Sequence, residues 1–282
     1  MSVLKFKSLR EMGEENLHLK VFLYGDSGAG KTHTTTTAPK PCILLTEPNG
    51  RLTVHSANPD TIVVDVMREA AEQSCPPLQV VRAFFKAAMD GSLREQTGCE
   101  TVVIDSLTEL QRMLHDEILD QKRGSSSAEV TFTLQDWGTL TDRMRKLIRA
   151  IRDLPFHIVC TALAAVETSD STGDRYYIPS FQGKKMPNEV AGYFSIVGYV
   201  FRQEEKDDDG NRNLAHKVLL CGPSTYITKT VAPLAAVEEP DISAWLDKIR
   251  KGQAESNSSK AVAEDPKKKT GTSKRRSRAT TN

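Results

Sequence analysis

"VFLYGDSGAGKTHTTTT", Val21 to Thr37, sets an apolar, strand-like run against a glycine-rich turn, one lysine and a row of threonines. The turn matches Gly-x-x-x-x-Gly-Lys-Thr at Gly25, Gly30, Lys31 and Thr32, directly after the apolar run. Each residue type suits an anion. Gly25, Gly28 and Gly30 let the backbone take positive-φ or close-approach geometry, so successive N–H groups curl inward. A following helix adds the positive end of its dipole. Lys31 supplies a mobile point charge, and Thr32 a hydroxyl for Mg2+. The stretch Gly25, Asp26, Ser27, Gly28, Ala29, Gly30, Lys31, Thr32 and His33 is therefore expected to hold the phosphates of ATP as a P-loop. Thr34 to Thr37 are mediocre helix formers and Pro39 follows, so the helix should be short.

Outward from this turn, short β-branched runs alternate with helical patterns, the mark of stacked βαβ units. The strand candidates are 19–25, 42–47, 61–66, 101–106 and 156–163, several of them apolar on both faces, as central parallel strands are. "PPLQVVRAFFKAAMDG" has the proline and glycine punctuation of a helix. From Leu134 to Asp153, the residues Leu134, Trp137, Leu140, Met144, Leu147, Ile148 and Ile151 recur at threes and fours and predict one buried face. Arg143, Arg145, Lys146, Arg149 and Arg152 fall on the other, as a solvated face or a polyanion path. After residue 163, "YYIPSFQGKK", "SIVGYVFRQ" and "LAHKVLLCG" read as antiparallel strands extending the sheet. "EPDISAWLDKIRKG" predicts a last helix, with Asp241 near its start and Gly252 at its end.

"TVVIDS" ends in Asp105, where a carboxylate at the edge of a neighbouring strand would hold Mg2+ through water. Asp105 as a helix N-cap before "LTELQRMLHDEIL" is the plainer alternative. Hydrolysis further needs a group that orients water. Glu47, at the end of "CILLTE", belongs to the strand after the P-loop helix and is the candidate, against an exposed turn carboxylate before "PNG". Lys31, Asp105 and Glu47 are thus the candidate catalytic set.

The chain has 282 residues, 38% of them hydrophobic, enough for one sizeable core. From Lys251 on, nine Lys or Arg face three carboxylates, a surplus of six, so the rest of a chain of net charge +1 carries −5. A basic tail on an acidic body suggests an arm for nucleic acid or a solubilising end. The expected organisation is an N-terminal segment 1–16, a core 17–252 and a disordered basic tail 253–282. Five scattered cysteines without Cys-x-x-Cys spacing predict a reducing, cytoplasmic setting. Six dispersed histidines point away from a structural metal site. The start lacks the apolar core of a signal peptide, and no stretch reaches transmembrane length, so no membrane partner is expected.

"GDSGAGKT", "LLTE", "VVIDS" and "IVCTA" in that order resemble a RecA-like ATPase, and the later segments "SFQGKKMPNEVAGYFSIVGYVFR" and "YITKT" resemble the phage ATP-binding single-strand annealing proteins, which are reduced recombinase cores. The resemblance spans about Leu17 to Arg250. It implies an α/β fold of RecA-like P-loop NTPase type: a mostly parallel sheet flanked by helices and extended by antiparallel strands. It also implies ATP and Mg2+ as ligands, a ring or filament of identical subunits, and single-stranded DNA as partner, inside a bacterial host if phage-encoded. By the same likeness Glu47 takes the place of the water-activating glutamate, and Thr161 that of a polar residue sensing the γ-phosphate. "KRGSSSAEVTFT" and "AAVETSDSTGDRYYIPS" become the DNA-facing loops. Arg175, Lys184 and Lys185, with Arg149, are then candidates for DNA contact in an assembled channel, and Lys184 or Lys185 for reaching a neighbouring subunit's γ-phosphate. "VLKFKSL" near the start could dock as a strand on the next subunit or form an ordinary edge strand. The competing classes are a nucleotide or small-molecule kinase, which needs an arginine-rich mobile lid, and a module whose bound nucleotide only sets its assembly state.

Overall fold

The computed structural model describes residues 18–124, 130–169, 171–183, 185–206, 212–231 and 233–263, with only the backbone from 253 onward. The N-terminal segment, residues 125–129 of the 122–133 loop, Lys184 and the tail from 264 lie outside the described residues.

The apolar run 19–25 becomes strand β1 (Lys20–Gly25), buried from Val21 to Gly25. The next runs give β2 (Pro41–Leu45), β3 (Ile62–Asp65), β4 (Thr101–Asp105) and β5 (His157–Thr168). Later come β6 (Arg175–Pro179), β7 (Ile196–Lys206), β8 (Arg212–Leu219) and β9 (Val237–Glu238). Their order in the sheet is β3-β2-β4-β5-β1-β7-β8-β9, with β6 paired to the outer part of β5. Strands β3, β2, β4, β5, β1 and β7 are parallel; β6, β8 and β9 pair antiparallel. This is the expected α/β architecture, a mostly parallel, helix-flanked sheet extended by antiparallel strands.

Side chains alternate between two cores, as the two-residue period of a strand requires. Phe22, Tyr24, Leu44, Ile104 and Cys160 face one side, covered by the helices Pro77–Asp90, Leu107–Arg123 and Leu134–Arg152. Val21, Leu23, Ile43, Leu45 and Val103 face the other, closed by Ala29, Ala38, Val54 and the last helix through Trp245 and Leu246. Both faces of the central strands are thus dry, the reason their sequences are apolar without alternation.

Strand β7 departs from the expected antiparallel pairing. Ser180 N–H meets Leu163 O at 2.7 Å near the upper edge of the sheet, whereas Ser195 N–H meets Lys20 O at 2.9 Å at the lower edge. The helix Met186–Gly192 lies between, so the chain crosses over and re-enters beside β1 in the parallel sense. The buried face of Leu134–Arg152 is also narrower than its periodicity predicts: Leu140, Met144, Ile148 and Ile151 are buried, Leu147 is half-buried, and Leu134 is 91% exposed. Leu134 is the first residue of the helix, within the capping box formed by Thr133 and Asp136, and that turn projects past the core. On its basic face Arg143 pairs with Glu117, Arg145 with Glu189 and Arg152 with Asp153, so these arginines are held by neighbouring carboxylates. The last helix, Ile242–Ala263, runs through Gly252 instead of ending there. A Cβ at 252 would lie 2.9 Å from Pro233, so this glycine admits a neighbouring chain segment rather than marking a stop.

Candidate functional site

Parallel register brings the carboxyl ends of β1, β2, β4 and β5 to one edge: Leu45 lies opposite Asp105, and Gly25 opposite Leu163. There the chain opens a cleft of about 520 Å3, lined by Ser27, Gly28, Gly30, Lys31, Thr32 and His33 of the loop, by Glu47, Asn49, Gly50 and Thr53, by Asp105 and Ser106, and by Leu163 and His216. Ligands prefer such an edge in open α/β sheets because loops and helix N-termini gather there.

The loop has the backbone its glycines permit. Gly28 and Gly30 sit at φ 75° and 99°, and the helix Lys31–Thr36 begins at once. Gly25 has a different reason: a Cβ there would fall 2.4 Å from the Val200 carbonyl oxygen of β7. The threonine row has a local use as well. Thr34, Thr35 and Thr37 donate their hydroxyls to the carbonyls of Gly30, Thr32 and Thr34 at 2.7 to 2.9 Å, a back-bonding that suits a helix of a turn and a half.

Lys31 is buried, and its ammonium donates to Gly25 O at 2.9 Å and Asp26 O at 2.8 Å. An ammonium has three donors, so one remains for a phosphate oxygen. Burial lowers its pKa, opposed by the charges of Asp105, Glu47 and Asp26. Asp105 is also buried. Its Oδ2 accepts the Thr32 hydroxyl at 2.7 Å and its Oδ1 the Thr161 hydroxyl. Burial raises the Asp105 pKa, the two hydroxyls oppose that shift, and a cation beside it would relieve the same penalty. Asp105 therefore does not cap the next helix; Ser106 does, accepting from Glu109 N–H. Glu47 reaches the same edge, with Oε1 accepting the Ser106 hydroxyl at 2.5 Å. Thr46 ties the two strand ends together: its N–H meets Asp105 O at 2.8 Å, and its hydroxyl accepts Ser106 N–H at 2.7 Å.

An incurved loop, an ammonium with a donor to spare and a Thr–Asp pair beside it form a donor set that fits a polyphosphate and its Mg2+. Lys31, Thr32 and the loop amides would hold the phosphates, with Thr32 and Asp105 towards the metal. Thr161 is fully buried behind Asp105, so it meets the cleft only through that carboxylate. Asp26 is exposed and turned towards Tyr199, away from the cleft. Arg175 and Lys185 are exposed and do not line this pocket, and Lys184 lies outside the described residues.

His216, Asn49, Thr53, Thr46 and Ser106 join the site without a sequence motif to announce them. In "LAHKVLL", His216 shares a strand face with Leu214, which is 54% exposed, and Val218, which is buried, so no clean alternation marks it.

No helix among the described residues is long and apolar enough to cross a membrane. The chain resembles the KaiC-like protein PH0186 from Pyrococcus horikoshii OT3, at 14% identity and TM-score 0.32, over 71% of this chain and 76% of that one. It also resembles the flagellar accessory protein FlaH from Methanocaldococcus jannaschii, at 11% identity and TM-score 0.34, over 78% and 84% respectively. No curated protein matches it. The family model AAA_24, described as AAA domain, matches residues 17–230, from just before β1 to beyond β8 and across the whole cleft; the chain belongs to that family.

Proposed function

We propose that the protein binds ATP with Mg2+ in this cleft, hydrolyses it, and uses the cycle as a homo-oligomer to bind single-stranded DNA, in annealing or homologous recombination. The observation that supports the reading is the meeting of Lys31, Thr32, Asp105 and Glu47 around one opening at the carboxyl edge of the sheet. Mg2+, when bound, neutralises phosphate charge and draws electron density from the transferring group. Lys31 and the loop amides hold the β- and γ-phosphates. Glu47, fixed by Ser106, takes a proton from water as the water oxygen bonds to the γ-phosphorus and the bond to the bridging oxygen breaks, leaving ADP and phosphate. Thr161 keeps Asp105 oriented.

The DNA part of the reading draws on exposed Arg149, Arg175 and Lys185 and on the basic residues beyond 263. A small-molecule kinase is disfavoured because the arginine-dense segment is a regular helix in which Arg143, Arg145 and Arg152 are ion-paired, not a mobile lid.

The test is ATP titration with Mg2+, followed by phosphate release with and without single-stranded DNA, in wild type and Lys31→Ala. Saturable binding lost in the variant and DNA-stimulated release are expected. Wild-type turnover by Lys31→Ala removes this cleft from the reaction, and release indifferent to DNA removes the DNA coupling.

A further inference from the structure

His216 lies on β8, 187 residues from the loop it touches, and its Nδ1 is 2.7 Å from Ala29 O. A carbonyl oxygen can only accept, so Nδ1 carries the proton and the tautomer is set. The Ala29 carbonyl and the Gly30 N–H belong to one planar trans peptide and point in opposite directions. Holding the oxygen towards β8 therefore turns the Gly30 N–H away from β8, and that N–H has no acceptor among the described residues. Gly30 is close-packed against the same ring: a Cβ there would lie 2.8 Å from His216 Nδ1, and φ at Gly30 is 99°. The imidazole thus fixes both the rotation of this peptide and the space beside it.

We propose that His216 is a positioning residue for the polyphosphate: a latch from the antiparallel edge of the sheet that keeps the Ala29–Gly30 peptide rotated for anion binding before the nucleotide arrives. The proposal rests on the nucleotide reading above and assigns it a residue outside the loop, strand and helix of the motif. Preorganisation of this kind acts on affinity because the loop amides no longer have to be ordered by the ligand. It depends on one donor at one position. Asparagine places an N–H close to the Nδ1 position, glutamine places one near Nε2, and phenylalanine fills the volume with no donor.

The experiment measures binding of ATP, ADP and AMP by calorimetry to wild type, His216→Asn, His216→Gln and His216→Phe, with the melting temperature of each nucleotide-free protein. The latch predicts that Asn stays within about twofold of wild type for ATP and ADP, while Gln and Phe lose about tenfold, the effect of one hydrogen bond. AMP, which lacks the phosphates that sit in the loop, should change far less. Equal ATP affinity in Phe and wild type overturns the proposal, and so does an Asn variant as weak as Gln, a comparison that stands even if Phe fails to fold. Wild type that binds no ATP is a separate result, because it ends the nucleotide reading itself and the latch with it.

Discussion

Strand β1, which delivers the phosphate loop, is fastened at its lower end by a histidine, and this makes stability depend on pH in a calculable way. His157 on β5 accepts the Leu19 N–H on its Nδ1 at 2.9 Å, so that nitrogen must be unprotonated in the fold. Its pKa is lowered from 6.5 to about 4, first by burial and then by the nearby positive charges of His18, Arg250 and Lys20, with Glu100 opposing. The folded chain therefore takes up this proton less readily than the unfolded chain, and acid favours unfolding between those two values. The contribution is complete above pH 6.5 and is lost as pH falls towards 4. At about 1.4 kcal/mol per pH unit the ceiling is about 3 kcal/mol. The ring is only partly buried, and screening by water and salt reduces this to about 1–2 kcal/mol. His157→Asn keeps an acceptor for Leu19 and removes the titration. Urea unfolding of both proteins between about pH 7 and about pH 4.5 should show the wild type losing about 1–2 kcal/mol more than the variant. Parallel losses in the two proteins would refute the reasoning, because the remaining titrating groups are common to both.

Glu47→Gln should leave Mg2+-dependent ATP binding intact and slow phosphate release by about a hundredfold or more, measured in single-turnover assays; an unchanged rate would place the base elsewhere. Gly25→Ala should destabilise the fold by about 1–3 kcal/mol in urea unfolding, because the methyl group meets the Val200 carbonyl, and a neutral result would show that β7 can yield. Removal of residues 264–282 should weaken single-strand binding and flatten its dependence on salt, read as the slope of log K against log salt; an unaltered slope would make the tail a bystander.

How much of this was legible in the sequence follows from where the physical signal was local. Strands β1, β2, β4 and β5 declared themselves because burial on both faces leaves little freedom in composition, and Gly28 and Gly30 because only their backbone freedom makes the loop. Asp105 and Glu47 were found by position at strand ends. The direction of β7 was hidden because Met186–Gly192, at 7 residues, is too short to show a helical period, yet it reverses the sense of pairing. Gly252 misled because a glycine admitting Pro233 and a glycine ending a helix look alike until the neighbour is known. Ser106, Thr46 and His216 act through contacts across 59 to 187 residues, and short polar residues at such positions carry no local period.

The loop leaves the ribosome long before what supports it. Gly25 rests on Val200, and Ala29 on His216. A nascent chain or a proteolytic fragment ending before β7 would display the complete motif with neither prop behind it. Ligand capture should then switch on late, as the final third of the polypeptide is added, instead of emerging with the signature that advertises it.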